Sequence, residues 1–281
     1  KLRLTSDALK LDLPSVEARI KRFIQDYVQK CGAKGVVLGV SGGVDSSTTA
    51  AIASLALGSH SVLGLVLPEE ETYSTTDIQH AKLVAKKFGF SLEVVDISPV
   101  LKSYFRSLPL YDASDRISKG NLKARTRMTY LYYYANRLNK LVCGSSDKSE
   151  TMMGYFTKWG DAAADISPIM DLYKTQVRQL ASHIGIPKEV ATKPSTPALW
   201  PGHLAEEELG IKYETLDLIL FGLEHFMTTE DIAEQLNLPI KLVDGVKKRW
   251  LVSEHKRRLP LTAKLGYRTV GSNFRLPYTP R

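Results

Sequence analysis

Apolar residues in this chain fall into short β-branched runs that alternate with longer stretches of helical period. Residues 35–40 (Gly-Val-Val-Leu-Gly-Val) are apolar without alternation, the pattern of a strand buried on both faces. Residues 61–67 are a second such run, residues 92–97 predict a third strand, and a shorter one covers 141–143. Between them the spacing turns helical. Val16, Ile20, Phe23, Ile24, Tyr27 and Val28 share one stripe across residues 15–31. Residues 44–57 are Ala-rich and free of Pro, which suits a helix packed on a sheet. Residues 75–88 predict a helix closed by Gly89, and residues 119–138 a long one. Strand–helix alternation predicts an α/β fold, a doubly wound, mostly parallel sheet with right-handed crossovers and flanking helices. After Ser145 the strand pattern stops. Residues 176–184, 213–225 and 240–255 predict helices, and the Pro-rich 187–202 predicts an irregular loop. No repeat or composition break marks a boundary, so one domain is expected over 1–281. It divides into an α/β core at 1–144 and loops and helices at 145–281 that complete a site.

In sheets of this kind ligands collect at the carboxyl ends of the strands. The first strand ends there in Ser41-Gly42-Gly43, a turn that leads directly into a helix. Such a turn aims unpaired backbone N–H groups at one point, and the helix dipole makes that point an anion site. Asp45 stands at the helix start, and an acid beside bound phosphate makes sense with Mg²⁺ between them. The turn is neither a Walker A motif nor Gly-x-Gly-x-x-Gly. Its plain alternative is a glycine turn in which Asp45 or Ser46 caps the helix.

Composition narrows the setting. Apolar content of 43% and charged content of 24% are those of an ordinary globular chain. No apolar run approaches the roughly 20 residues of a membrane span. Residues 1–7 lack the apolar centre of a signal peptide. Cys31 and Cys143 show no metal-ligand spacing and read as small hydrophobes in a reducing compartment, so a cytoplasmic location is expected. The net charge of +8 is uneven: residues 246–281 hold ten basic residues against Glu254 alone. Such a segment suits a dinucleotide or nucleic acid, or is simply a solvated tail.

Several further motifs belong with the first turn. They include Lys119-Gly120-Asn121-Leu122-Lys123-Ala124-Arg125-Thr126-Arg127 and Gly144-Ser145-Ser146-Asp147-Lys148-Ser149-Glu150. Next come Gly154-Tyr155-Phe156-Thr157-Lys158-Trp159-Gly160-Asp161, Asp165-Ile166-Ser167-Pro168 and Leu172-Tyr173-Lys174-Thr175. Downstream lie Lys193-Pro194-Ser195-Thr196-Pro197-Ala198-Leu199-Trp200 and Glu254-His255-Lys256-Arg257-Arg258. The first turn resembles the pyrophosphate loop of ATP pyrophosphatases. The whole series, from about residue 15 to 260, resembles ammonia-dependent NAD⁺ synthetases.

That resemblance implies a Rossmann-like fold of the adenine nucleotide α-hydrolase type with a helical C-terminal part. It implies an AMP-forming ligase in which deamido-NAD⁺ is adenylated by ATP and ammonia then displaces AMP. Gly39, Val40, Ser41, Gly42, Gly43, Val44, Asp45 and Ser46 would hold the ATP phosphates. Ser145 and Thr196 would also touch ATP, and Lys174 would pair with its phosphates. Asp45 and Glu150 would bind Mg²⁺, and with Lys174 they are the expected catalytic group. Arg125, Lys158, Asp165, His255 and Lys256 would line the deamido-NAD⁺ site, placing part of the basic tail on a pyrophosphate. A homodimer is implied, with ammonia arriving free or from a separate protein, and no membrane or nucleic-acid partner.

Each residue also has a plain reading. Glu150 suits the first turn of any helix, Lys158 and Lys174 suit solvent, and Asp165 suits a turn. Thr196 suits a loop and His255 a helix C-terminus. Periodicity does not say whether Arg125 or Arg127 points inward. A tRNA-modifying ATP pyrophosphatase and a nucleotide-binding sensor without turnover stand as alternatives. Ala162 and Ala163 replace two glycines usual in the family, which is expected to stiffen that loop. Glu69-Glu70-Glu71 would repel ATP, so most of them are expected to face solvent. Tyr130, Tyr132, Tyr133 and Tyr134 occupy several faces of one helix, and the implied second subunit offers them a surface.

Overall fold

The computed structural model describes residues 2–270, 273 and 274. Lys1 and two of the tail's basic residues, Arg275 and Arg281, lie outside them. The α/β part runs α1 (Leu13–Lys30), β1 (Val36–Gly39), α2 (Val44–Leu57), β2 (Val62–Val66), α3 (Thr75–Phe88), β3 (Ser91–Val94), α4 (Ser98–Ser107), α5 (Arg116–Leu138) and β4 (Leu141–Val142). Helices follow: α6 (Lys148–Met153), α7 (Lys174–His183), α8 (Lys188–Ala191), α9 (Ala205–Leu209) and α10 (Tyr213–Glu224), then α11 (Thr229–Leu236), α12 (Ile240–Val252) and α13 (Glu254–Arg257).

The sheet is parallel throughout, in the order β3-β2-β1-β4. The chain builds outward from β1 to β3, then returns across the sheet to place β4 on the other side of β1. The strand order therefore reverses beside β1, which opens a crevice at its carboxyl end. Successive strand side chains point to opposite faces. Val36 and Leu38 join Ile24 of α1, Ile52 of α2 and Val177 of α7 in one core. Val37, Leu65 and Val142 join Leu101 of α4 and Ala135 of α5 in another. A third core, built by Leu216, Ile219 and Leu220 of α10 with Ile232, Val243 and Met153, holds the C-terminal helices together.

The spans predicted for α2 and α3 match to the residue. The helix expected over 240–255 breaks at Ser253, and the Pro-rich loop contains the short α8. Five helices lie outside the expected spans: α4, α6, α8, α9 and α11. Three of them nonetheless carry start signals. Pro99 opens α4, Asp147 with Glu150 forms a capping box on α6, and Thr228 caps α11. They are too short for hydrophobic period to reveal.

Of the acids after β2, Glu70 and Glu71 face solvent as expected, but Glu69 does not. Its side chain is 4% exposed and pairs at 2.8 Å with a fully buried Lys123. Tyr130, Tyr132 and Tyr134 pack partly against the second core, leaving Tyr133 exposed. No described helix is long and apolar enough to cross a membrane.

Candidate functional site

A cavity of about 470 Å³ opens at the carboxyl ends of β1, β2 and β4. Its floor is the turn after β1: Gly39, Val40, Ser41, Gly43, Val44, Asp45 and Ser46 all line it. Gly42 lies just behind, at φ +77°, where an added Cβ would stand 2.3 Å from the Asp77 carbonyl oxygen. Both the dihedral and the close approach demand glycine. Gly43 is the N-cap of α2 and no side chain caps that helix, so the alternative of a cap by Asp45 or Ser46 is not realised. Ser46 Oγ instead accepts from Ser41 N at 3.1 Å and fixes the turn. The first N–H groups of α2 thus lack side-chain acceptors beside an open cavity, the arrangement that binds phosphate. Ser145 and Thr196 line the cavity as expected. Thr196 Oγ1 donates to the His203 carbonyl, which shapes the 193–203 wall.

Beside the turn, three carboxylates converge. Asp45, Asp147 and Glu150 each present an oxygen within 4.8 Å of the others. The capping box sets two of them: Glu150 N donates to Asp147 Oδ1 at 2.7 Å, and Asp147 N points back to Glu150 Oε2 at 3.5 Å. Lys174, the first residue of α7, places Nζ 2.6 Å from Asp45, 2.8 Å from Asp147 and 2.9 Å from Glu150. Burial would lower the Lys174 ammonium, but Asp147, Asp45 and Glu150 outweigh it and hold its pKa well above the ordinary value. Burial, with the charge of Asp147, raises Glu150. Burial raises Asp147 as well.

Lys174 therefore does not line the cavity; its ammonium is enclosed by the acids it neutralises. With all three acids ionised, one ammonium leaves negative charge over, and burial together with that surplus makes Glu150 and Asp147 hold their protons more tightly. Asp45 Oδ1 is buried without a hydrogen-bond partner. An all-oxygen donor set with surplus negative charge and an orphaned carboxylate oxygen fits a hard divalent cation.

Behind the cluster lies Asp217 of α10, fully buried. Its Oδ1 accepts from Ser149 Oγ at 2.6 Å and its Oδ2 from Thr175 N at 2.8 Å, while Ser149 Oγ accepts from Lys174 N at 2.9 Å. One carboxylate thus joins the N-termini of α6 and α7. Burial pushes Asp217 up to about 6. Sequence reasoning assigned no role to Asp147 or Asp217. The signals were the Asp-x-x-Glu capping pair and a lone acid within the apolar run 216–220.

The expected deamido-NAD⁺ residues divide. Lys256 lines the cavity; Arg125, Lys158, Asp165 and His255 do not. Arg125 is exposed and donates to the Lys158 carbonyl at 3.2 Å, and Lys158 Nζ donates to the His255 carbonyl at 2.7 Å. Arg127 is the arginine that faces the cavity, its Nε donating to the Leu67 carbonyl at 3.1 Å. Asp165 accepts from Val142 N at 2.7 Å and from Tyr132 Oη at 3.4 Å, tying down the short β4.

Much of the described tail charge closes the C-terminal end of α6. Arg257 donates to the Thr151 and Met152 carbonyls, Arg249 to Met153, and Lys256 to Gly154 and Phe156. The last carbonyls of a helix lack a full set of intrahelical donors, and cations suit that end of the dipole. This use for the asymmetry was not foreseen. Nor was the wall where Trp200 stacks on His203 at 3.5 Å and Tyr155 Oη donates to Glu208 at 2.7 Å. Ala162 and Ala163 do not have positive φ, so alanine is accommodated there without backbone strain.

A doubly wound parallel sheet, with an uncapped glycine turn at its switch point and a carboxylate cluster beside it, defines an α/β nucleotide-binding protein. Residues 16–260 match the NAD synthase family, and the chain belongs to it. It is 48% identical over 261 residues to the NH(3)-dependent NAD(+) synthetase of Hyperthermus butylicus, covering 92% of this chain and 94% of that protein. Against the enzyme of the same name from Methanocaldococcus jannaschii it is 47% identical, over 88% and 95% of the two chains. Among solved structures it is similar to NMN synthetase from Francisella tularensis (TM-score 0.81, 30% identity, 91% of this chain and 100% of that one). It is also similar to the NH3-dependent NAD synthetase from Campylobacter jejuni (TM-score 0.75, 27% identity, 90% and 100%). The family match does not favour the tRNA-modifying or sensor alternatives.

Proposed function

We infer that this chain joins ammonia to the nicotinate carboxylate of deamido-NAD⁺ at the expense of ATP, giving NAD⁺, AMP and pyrophosphate. The observation that carries the reading is the open glycine turn and the acidic cluster meeting in one cavity of an NAD synthase-family chain. A carboxylate resists ammonia because its charge repels nucleophiles and oxide leaves poorly. Adenylation removes both obstacles, provided two anions are aligned and water is kept from the adenylate.

In this account the turn of residues 39–46, with the free N–H groups at the start of α2, holds the ATP phosphates. Ser145 and Thr196 flank the nucleotide. Asp45 and Glu150 hold Mg²⁺, which when bound supplies positive charge to the polyphosphate. Asp147 and Lys174 keep those acids at their spacing, and the enclosed Lys174 ammonium acts on the phosphates through those acids rather than by direct pairing. Arg125, Lys158, Asp165, His255 and Lys256 bind the dinucleotide. Arg125, Lys158 and His255 lie outside the cavity, so a dinucleotide that reaches them extends over its rim, where the second subunit of a homodimer would meet it. The free cysteines suit a cytoplasmic enzyme.

A second reading follows from the same placement and from the Francisella neighbour. A cavity of about 470 Å³, lined by only one of the five expected dinucleotide residues, suits a smaller acceptor, nicotinate mononucleotide. One assay separates them: ATP, Mg²⁺ and ammonium are supplied with either acceptor, and AMP and amidated product are counted. Equal yields of AMP and NAD⁺ from deamido-NAD⁺ are expected. Amidation of the mononucleotide alone would replace the first reading with the second, and no ATP cleavage with either acceptor would remove both.

A further inference from the structure

Lys123 is a buried cation that the proposed reaction does not use. It sits on α5, one residue before Ala124 of the cavity wall, yet does not itself line the cavity. Its side chain is 0% exposed. Nζ lies 2.8 Å from Glu69 Oε1, 2.6 Å from Glu71 Oε2 and 3.1 Å from the Leu199 carbonyl oxygen. An ammonium has three donors, and these three acceptors occupy them all.

The acceptors come from two different walls. Glu69 and Glu71 belong to the segment after β2, whose Pro68, Thr72 and Asp77 line the cavity. Glu69 organises that segment further, accepting from Thr72 Oγ1 at 2.7 Å and from Glu71 N at 3.0 Å. Leu199 belongs to the 193–200 segment, which forms the facing wall. That segment has little regular structure to hold it. Its other tie to the first wall is the ion pair between Lys193 and Asp77. Leu199 also packs where an added Cβ on Gly120 of α5 would come within 3.2 Å of it, so α5 and this wall meet closely.

We propose that Lys123 is a positioning residue for the nucleotide: one buried ammonium on α5 fixes the 68–77 and 193–200 walls relative to each other. This gives Glu69 and Glu71 a function although neither touches the substrate. The proposal rests on the ATP site assigned above, and deepens it.

Lys123→Met alone strands the Glu69 carboxylate in the interior, so the charge-balanced pair Lys123→Met/Glu69→Gln is the variant to make. Calorimetry should show ATP·Mg²⁺ binding about tenfold weaker, and amides in 195–200 should exchange about tenfold faster. At saturating ATP, kcat should stay within about threefold. Lys123→Arg, which keeps the charge, should bind ATP within about threefold of wild type. A variant that melts earlier but keeps wild-type ATP affinity and exchange would overturn the proposal, leaving Lys123 a stability residue only. Should the pair fail to fold, Glu71→Gln carries the same test from the exposed rim, with ATP binding expected about threefold weaker and an unchanged affinity overturning the proposal. Wild type that binds ATP but makes no NAD⁺ would sink the proposed reaction, and the affinity comparison would still decide the role of Lys123.

Discussion

Asp147 and Asp217 are fully buried acids with opposite settings. Asp147 faces a cation, Lys174, whereas Asp217 accepts from neutral donors, Ser149 Oγ and the Thr175 amide. Burial is the main reason that Asp217 titrates near 6 rather than at the ordinary 3.8. A carboxyl whose native pKa is raised binds its proton more tightly in the folded state, so it adds stability in acid and withdraws it as pH climbs from about 4 through about 6. The shift corresponds to as much as about 3 kcal/mol across that window. Urea unfolding of wild type and Asp217→Asn between pH 4 and 7 should show wild type losing stability relative to the variant as pH rises. A constant difference would contradict this setting for Asp217. The glycine turn pointed to Asp45, and the family resemblance, rather than any local signal, named Glu150. Sequence could not weigh Asp217, whose importance comes from two helix N-termini more than forty positions away in one direction.

Between elements, the organising device is the helix terminus. The N-terminal ends of α2, α6 and α7 converge, delivering Asp45, Glu150 and Lys174 to one point. The opposite end of α6 is held by cations from α12 and α13. Arg257 alone donates to the Thr151, Met152 and Trp250 carbonyls. Removing it deprives the Met152 carbonyl of its partner, whereas Thr151 still accepts from Gly154 N and Trp250 from Ser253 Oγ; a partly buried carbonyl left without a hydrogen bond costs about 1–3 kcal/mol. Arg257→Ala should therefore lower unfolding stability by about 1–3 kcal/mol, while Lys248→Ala at an exposed position should stay within about 0.5 kcal/mol. Equal effects from the two would mean that the tail's charge acts only through the overall field. The α2 and α3 spans were legible because each has a clear stop residue, Gly58 or Gly89. Helix α6 has six residues and takes its shape from Arg257 and Lys256, about a hundred positions downstream.

Across the whole molecule, the strand-order reversal beside β1 fixes where the cavity opens; strand–helix alternation told of parallel strands and of ligands at their carboxyl ends, but not of the strand order. The inward-facing identities did not follow. Arg127 rather than Arg125 reaches the cavity, and Arg125, Lys158 and His255 form a chain of contacts on its outer side. A helix of 23 residues offers both arginines plausible faces, and only the packing of α5 against β1 and β4 selects between them. The Lys123 tie between two walls belongs to this scale too, since its partners come from segments 52 to 76 positions away.

The account as a whole depends on Asp45 acting where phosphate, cation and glycine turn meet. The most direct measurement is kcat for NAD⁺ formation by Asp45→Asn at saturating ATP, Mg²⁺, ammonium and deamido-NAD⁺. A loss of about 3 kcal/mol of transition-state stabilisation, or roughly a hundredfold or more in kcat, is predicted. A kcat within a factor of about two of wild type would contradict it.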